Sequence, residues 1–210
     1  MGRTSGRKAV LIEAAQRAMA EHGTAVRLNQ IAEQAGVTSS AVLYHYPNIS
    51  ELLVDANRAG MERFYDQRMQ AITGLTDPVE KLVTTIALGV PRSCDDEEVR
   101  LLCSLGGEAA RNTVYAVLLT SLYDRQVDMF QAILESGVIS GDFRLQQDPQ
   151  VIARNLVALE DAYGYRIMAK HPSLDYATAI ALILDYARLA TDNALPFPSR
   201  ITRMSQPAYK

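Results

Sequence analysis

The sequence predicts an all-α protein: an N-terminal three-helix head containing a helix-turn-helix, joined by a long helix to a C-terminal helical bundle, about nine helices in total. Three observations carry this. Apolar residues recur at spacings of three and four through most of the chain. Residues 28–46, LNQIAEQAGVTSSAVLYHY, set a glycine between two short segments of that kind. No stretch of useful length shows the alternation of a half-buried strand.

Each element has a local reason. Residues 8–23, KAVLIEAAQRAMAEHG, turn Leu11, Ile12, Ala15, Ala18 and Met19 to one side, and Gly23 closes them. In the next segment Leu28, Ile31, Ala32 and Ala35 share a face, leaving Asn29, Gln30, Glu33 and Gln34 to solvent. Gly36 stands where the chain must leave that helix through a positive φ, which glycine adopts without steric cost. Val37 plugs the angle, and Thr38 is a good N-cap for the helix Ser39 to Tyr46. That helix opens with small residues, which allow close approach to base edges and phosphates, as a helix set in a major groove requires. Glycine-bearing helical hairpins also occur in proteins that never meet DNA; the helix ahead of this one, making three in the first 46 residues, favours the DNA reading.

Pro47 stops the third helix, and Asn48 with Glu51 caps a long linking helix over 49–73, with Leu52, Leu53, Ala56, Gly60, Phe64 and Ile72 on its apolar side. Asp77-Pro78 starts a helix to about Val90, stopped by Pro91. The acidic residues 95–98 start another through about Arg111, and residues 113–136 form a long one expected to end at Gly137. Asp148-Pro149 repeats the cap for a helix to about Lys170, and Ser173 starts the last, to about Asn193. The expected division is a head over 1–48, an effector-binding and dimerisation domain over 49–195, and a loose tail with three prolines over 196–210.

The head resembles the tetracycline-repressor (TetR) family of bacterial transcription regulators. The matches are Leu11, Ala14, Ala15, Gly23, Ile31, Ala32, Ala35, Gly36, Val37, His45, Tyr46, Leu52 and Leu53. Their mutual spacing is the specific part. The resemblance implies a homodimer that binds a palindromic double-stranded DNA operator, acts as a repressor, and is released by a small-molecule effector. It also exposes departures. Leu43 falls where the family usually has a phosphate-contacting Tyr, Ile49 falls at a frequent Lys, and Arg27 replaces the usual Thr cap of the second helix. Arg27 can bind a phosphate bidentately in their place. Ser39 and Ser40 are candidates for groove contacts, and His45 for a neutral phosphate donor. Tyr44 is expected outward and Tyr46 in the core of the head. Lys8, Thr38 and Asn48 complete the candidate DNA contacts.

The net charge of -3 is at first sight wrong for a DNA binder. Within residues 1–50, however, Arg3, Arg7, Lys8, Arg17 and Arg27 face only Glu13, Glu21 and Glu33, so the head is basic and the body acidic. His22 and His171 read as surface residues near helix ends. The longest apolar run is well short of the ~20 residues a membrane span needs, and the N-terminus lacks the apolar stretch of a signal peptide, so a cytoplasmic protein is expected. Cys94 and Cys103 make no disulfide framework and read as packing residues.

The helix 176–190, YATAIALILDYARLA, is apolar on two sides, Ile180, Ile183, Leu184 and Ala187 on one, Leu182, Tyr186 and Leu189 on another. Either it is buried within one subunit, or with its neighbour it builds a four-helix interface across a two-fold axis, the arrangement favoured here. On 149–170, Ile152, Leu156, Leu159, Tyr163 and Ile167 form a stripe into which Glu160 falls. An inward carboxylate needs a partner or a ligand. Cys103, Gly107, Glu108, Arg111, Tyr115, Leu119 and Tyr123, with Glu160 and Tyr163, are the candidate effector-binding residues. Carboxylates and tyrosine faces suit a cationic effector such as an amine; the bland alternative pairs Glu160 with Arg111 or Arg125. Gly106-Gly107 inside a helical pattern suggests close backbone approach or room for a ligand.

No cofactor, metal or catalytic residue is assigned, because HExxH, GxSxG, GxGxxG and P-loop patterns are absent. Two rival readings remain: a helical ligand-binding protein with weakened DNA affinity, and an all-helical enzyme using Glu108, Glu160, Asp161 and a Tyr.

Overall fold

The computed structural model describes residues 2–198, which form nine α-helices and one 3-10 turn, with no strand among them. In order these are α1 (Gly2–His22), the 3-10 turn Gly23–Ala25, α2 (Leu28–Gln34), α3 (Ser39–His45), α4 (Ile49–Thr73), α5 (Pro78–Gly89), α6 (Glu97–Ala109), α7 (Thr113–Ser140), α8 (Pro149–Met168) and α9 (Tyr176–Thr191). They gather into two compact units. One comprises Met1–Gln67 with Ser93–Arg125, the other Arg68–Arg92 with Gln126–Lys210, so α4 and α7 each contribute to both. The expected loose tail lies outside the described residues from 199 onward.

In the first unit, α1, α2, α3 and the start of α4 share one core: Leu11, Ala14, Ala15, Ala18 and Met19 meet Ile31, Ala32, Val42, Tyr46, Leu52 and Ala56. Leu101 of α6 belongs to the same core and lies against Gly60, where a Cβ would come within 2.7 Å of its Cδ2. A second cluster joins Met61 and Phe64 of α4 to Leu105 of α6 and Leu122 of α7. In the second unit the buried stripe of α9, Ile180, Ile183, Leu184 and Ala187, and that of α8, Ile152, Leu156 and Ile167, match the expected apolar faces.

Capping fixes most boundaries where the side chains demand them. Asp77, Asp96, Asp148 and Asp175 accept from the backbone N–H of Val79, Val99, Gln150 and Thr178. Three expectations are corrected. The cap of α9 is Asp175 rather than Ser173. And Gly137 does not end α7, which continues to Ser140 and turns away at Gly141, φ 86°. Gly137 is glycine because the Phe143 ring lies where its Cβ would stand. The first helix also begins earlier than its apolar pattern, at Gly2.

Candidate functional site

The helix-turn-helix is built from its residues outward. Gly36 takes φ 65°, Val37 donates its N–H to Ala32 O at 2.9 Å, and Thr38 Oγ1 accepts from Ala41 N at 3.2 Å. α3 then rotates Val42 fully inward. Tyr46, 2% exposed, donates its hydroxyl to Asp55 Oδ2 of α4 at 3.0 Å, and Lys8 Nζ sits 4.7 Å above its ring. Burial and the Asp55 carboxylate push the Tyr46 phenol up to about 12. Tyr44, 83% exposed, points the other way, its ring edge-on to His45 at 5.1 Å between centroids. Of the two tyrosines expected to split, one is therefore in the core and one outside.

The candidate DNA contacts lie together on this unit. Ser40, Tyr44, Thr38, Arg27, Asn48 and Lys8 are exposed, and Ser39 and His45 are half-buried. Arg27 precedes α2 in an extended conformation; its own N–H is bound by Gln30 Oε1 at 2.7 Å. A guanidinium has no acceptor with which to cap a helix, so this position keeps only the Gln30 half of a capping box. Asn48 Oδ1 accepts from Ser50 N at 2.9 Å and orders the first turn of α4. Leu43 is 40% exposed.

α6 is tied to the head by polar as well as apolar contacts. Arg100 donates from Nη1 to Ala20 O at 3.3 Å and from Nη2 to Cys94 O at 2.9 Å. Gln16 Nε2 donates to Ala56 O at 2.7 Å, Arg63 Nη2 donates to Gln16 Oε1 at 2.5 Å, and Arg63 Nε lies 3.8 Å from Glu98 of α6. Burial raises the Glu98 carboxyl, which Arg63 partly offsets.

The expected effector residues fall in two sets. Cys103, Gly107, Glu108, Arg111, Tyr115, Leu119 and Tyr123 lie in the first unit, and Glu160 and Tyr163 in the second. Tyr115, Leu119 and Tyr123 are half-buried on one stretch of α7, with Tyr115 and Leu119 against the cluster of Met61, Phe64, Leu105 and Leu122. Beside Tyr115 stands Asn57 of α4, which sequence reasoning passed over. Asn57 is fully buried; Nδ2 donates to Leu53 O at 2.8 Å, and Oδ1 has no partner. The Tyr115 phenol is raised by burial, lowered by its hydrogen bond with Asn57, and raised again by the negative field of Glu108. A buried Asn on an otherwise apolar face of the linking helix was the available signal. Gly107 has nothing within 4 Å of a notional Cβ, so close backbone approach is not the reason for it. Cys94 and Cys103 are half-buried thiols.

In the second unit Glu160 has the partner that burial demands, and it is Arg68, not Arg111 or Arg125. Arg68 Nη2 lies 2.8 Å from Oε1 and 3.1 Å from Oε2, and also donates to Thr85 O at 3.0 Å. Arg68 stands over the Phe130 ring at 5.4 Å. Arg125 instead stacks on Tyr65 at 3.8 Å and pairs with Asp66 at 3.6 Å. The pairing escaped sequence reading because Arg68 is 92 residues distant and lies on the helix taken as a linker.

Among the described residues no group of three or more His, Cys, Asp or Glu could hold a metal ion, and no helix is long and apolar enough to cross a membrane.

Comparison with known proteins agrees with this geometry. Residues 11–56, from the core of α1 into α4, match the model of the bacterial regulatory proteins of the tetR family. Over 199 residues, 92% of this chain and 94% of the relative, the sequence is 25% identical to the HTH-type transcriptional regulator BetI of Rhizobium meliloti (strain 1021). A regulator of the same name from Agrobacterium fabrum is 26% identical over 86% of this chain and 85% of its own length. The fold is shared with a protein from Saccharomonospora viridis crystallised in complex with choline, TM-score 0.81 and 23% identity over 88% of this chain and 96% of that one. It is shared too with a TetR transcription regulator from Haloarcula marismortui, TM-score 0.80 and 21% identity over 89% and 99%. The head, whose glycine, cap and inward tyrosine fall within the matched segment, matches that of the TetR family of DNA-binding transcriptional regulators, and over most of its length the chain is similar to such regulators.

Proposed function

We propose that this chain is a cytoplasmic homodimeric repressor, with no catalytic activity of its own, that leaves a palindromic operator when a small cationic molecule binds. The observation that carries the effector class is the Asn57 and Tyr115 pair. A buried carbonyl oxygen without a partner, beside a phenol in the negative field of Glu108, forms an acceptor-rich and aromatic surrounding that favours a desolvated cation. The choline held by the Saccharomonospora viridis protein supports the same class. Leu119, Cys103, Glu108 and Gly107 supply further wall on α6 and α7, with Arg111 and Tyr123 at its margins. In the second unit Glu160 is held by Arg68, and its part is to keep α8 in place.

Signal transfer follows from the contacts of α6. A ligand that displaces α6 pulls on Leu101 in the core of the head and on the bond from Arg100 to Ala20, so it biases the placement of α1 and the recognition helix. Dimerisation uses α8 and α9. Leu189, 77% exposed, with Leu182 and Val151, leaves an apolar face on helices whose other sides are buried. Arg27, Lys8, Thr38, Asn48 and His45 hold phosphates around α3, and Ser39, Ser40 and Tyr44 enter the groove.

Calorimetric titration of the full-length dimer with choline, primary amines, neutral aromatics and carboxylic acids tests the proposal. Saturable binding of cations, with release of operator DNA, is expected. Binding confined to anions would overturn the effector class, and DNA affinity that does not fall with salt would overturn the operator role.

A further inference from the structure

The outward face of α3 is short of the groups that usually read bases. Ser40, Ala41, Leu43 and Tyr44 are exposed while Val42 is fully buried. With about 100° between successive residues, Ser40 and Tyr44 stand opposite Val42, and Ala41 and Leu43 flank them on either side. In a major groove, guanine is read by Arg or Lys, adenine by Asn or Gln, the cytosine amino group by Asp or Glu, and the thymine methyl by an apolar side chain. The α3 sequence SSAVLYH contains none of the first six residue types. Its serine hydroxyls both donate and accept, so they suit any base edge. The one discriminating contact the exposed face of α3 offers is therefore apolar. Ala41 is its third residue, and Leu43, lacking any polar atom in its side chain, has nothing to give a phosphate.

We propose that α3 selects its operator through thymine 5-methyl groups, contacted by Ala41 and Leu43; this rests on the DNA-binding role of the head and specifies what the head reads. The hydroxyls of Ser39, Ser40 and Tyr44 fix the approach of the helix, and the methyl groups decide which sequence is held. Each half-site then contains thymines whose only recognised feature is a methyl group.

The test uses the full-length protein and a random duplex pool. The duplex it enriches is remade with deoxyuridine in place of thymidine, one position at a time, which removes the methyl and leaves base pairing and hydrogen-bonding groups intact. At one or two positions per half-site, affinity should fall about fourfold per methyl, corresponding to ~0.8 kcal/mol for one buried carbon. Ala41→Ser and Leu43→Ser should bind the thymidine duplex more weakly and lose sensitivity to deoxyuridine at the matching position. Circular dichroism of each variant confirms the fold. Equal affinity for every deoxyuridine duplex, with binding still steeply salt-dependent, overturns the methyl readout and leaves the DNA-binding role standing. An undiminished deoxyuridine effect in both variants overturns the assignment to Ala41 and Leu43. Absence of any enriched duplex, with salt-independent retention, overturns both.

Discussion

Nη2 of Arg68 contacts both carboxylate oxygens of Glu160, with each side chain only 1% exposed. The pair joins α4 to α8 within the second unit, and Gly89 at the end of α5 is the residue that leaves space for it, since a Cβ there would overlap the Glu160 carboxylate. Taking two charges out of water is costly, so neither partner is tolerable alone.

Arg68→Met should therefore destabilise the protein at about pH 9 by about 3 kcal/mol, the effect of leaving a buried carboxylate without its counter-charge. Arg68→Met combined with Glu160→Leu should recover most of that loss. Urea unfolding of the two variants beside the wild type checks it; a single variant as stable as wild type would show that the pair is not the contact holding α8.

The same pair sets a pH dependence. Burial pushes the Glu160 carboxyl up to about 8, against the pull of Arg68. A carboxyl raised in the folded state binds its proton more tightly there than in the unfolded chain. Its contribution to stability is thus largest below the ordinary carboxyl range and declines as pH rises to about 8. The urea midpoint of wild type should fall relative to that of Glu160→Gln as pH rises from about 5 to about 8, and the difference should be level above it. A difference constant with pH would mean that Glu160 keeps one charge state throughout.

Glycine substitutions should separate by what lies beside them. Gly107→Ala, on α6 with open space around it, should stabilise by about 0.5 to 1 kcal/mol through helix propensity. Gly137→Ala, against the Phe143 ring, should destabilise by about 1 to 3 kcal/mol despite the same propensity gain. Thermal melts of both variants give the signs directly.

That contrast shows where the sequence was legible. Apolar periodicity and Asp-Pro caps located the helices because both act within a few residues. Gly137 was misread as a terminator because its reason is Phe143, six residues on and across a turn. Ser173 reads as the start of the last helix, whereas Asp175, two residues on, is the cap that the register of α9 selects. In the head, the outward Tyr44 and inward Tyr46 were readable, since helical geometry alone separates them. Arg68 was not readable as the partner of Glu160, for nothing local marks an arginine that folding will enclose. Asn57 was hidden similarly, a polar residue on a helix whose apolar side dominated its pattern.

Arg27→Ala should weaken binding to specific and non-specific DNA alike and reduce the slope of log affinity against log salt by about 1. Fluorescence anisotropy over a salt series measures both. Since Arg27 contributes no side-chain cap to α2, thermal stability should stay within about 0.5 kcal/mol of wild type. An unchanged slope would return Arg27 to the solvated surface.

Leu101 fills the core of the head from a helix that begins some fifty residues after the recognition helix ends. The DNA reader is consequently not a detachable module. Cutting the chain after residue 48 would remove Leu52, Ala56 and Leu101 together and leave α1 with an open apolar seat. Chimeras that exchange operator specificity with a relative will need to carry α6 across with the head, or to graft only the exposed side chains of α3 onto an otherwise intact chain.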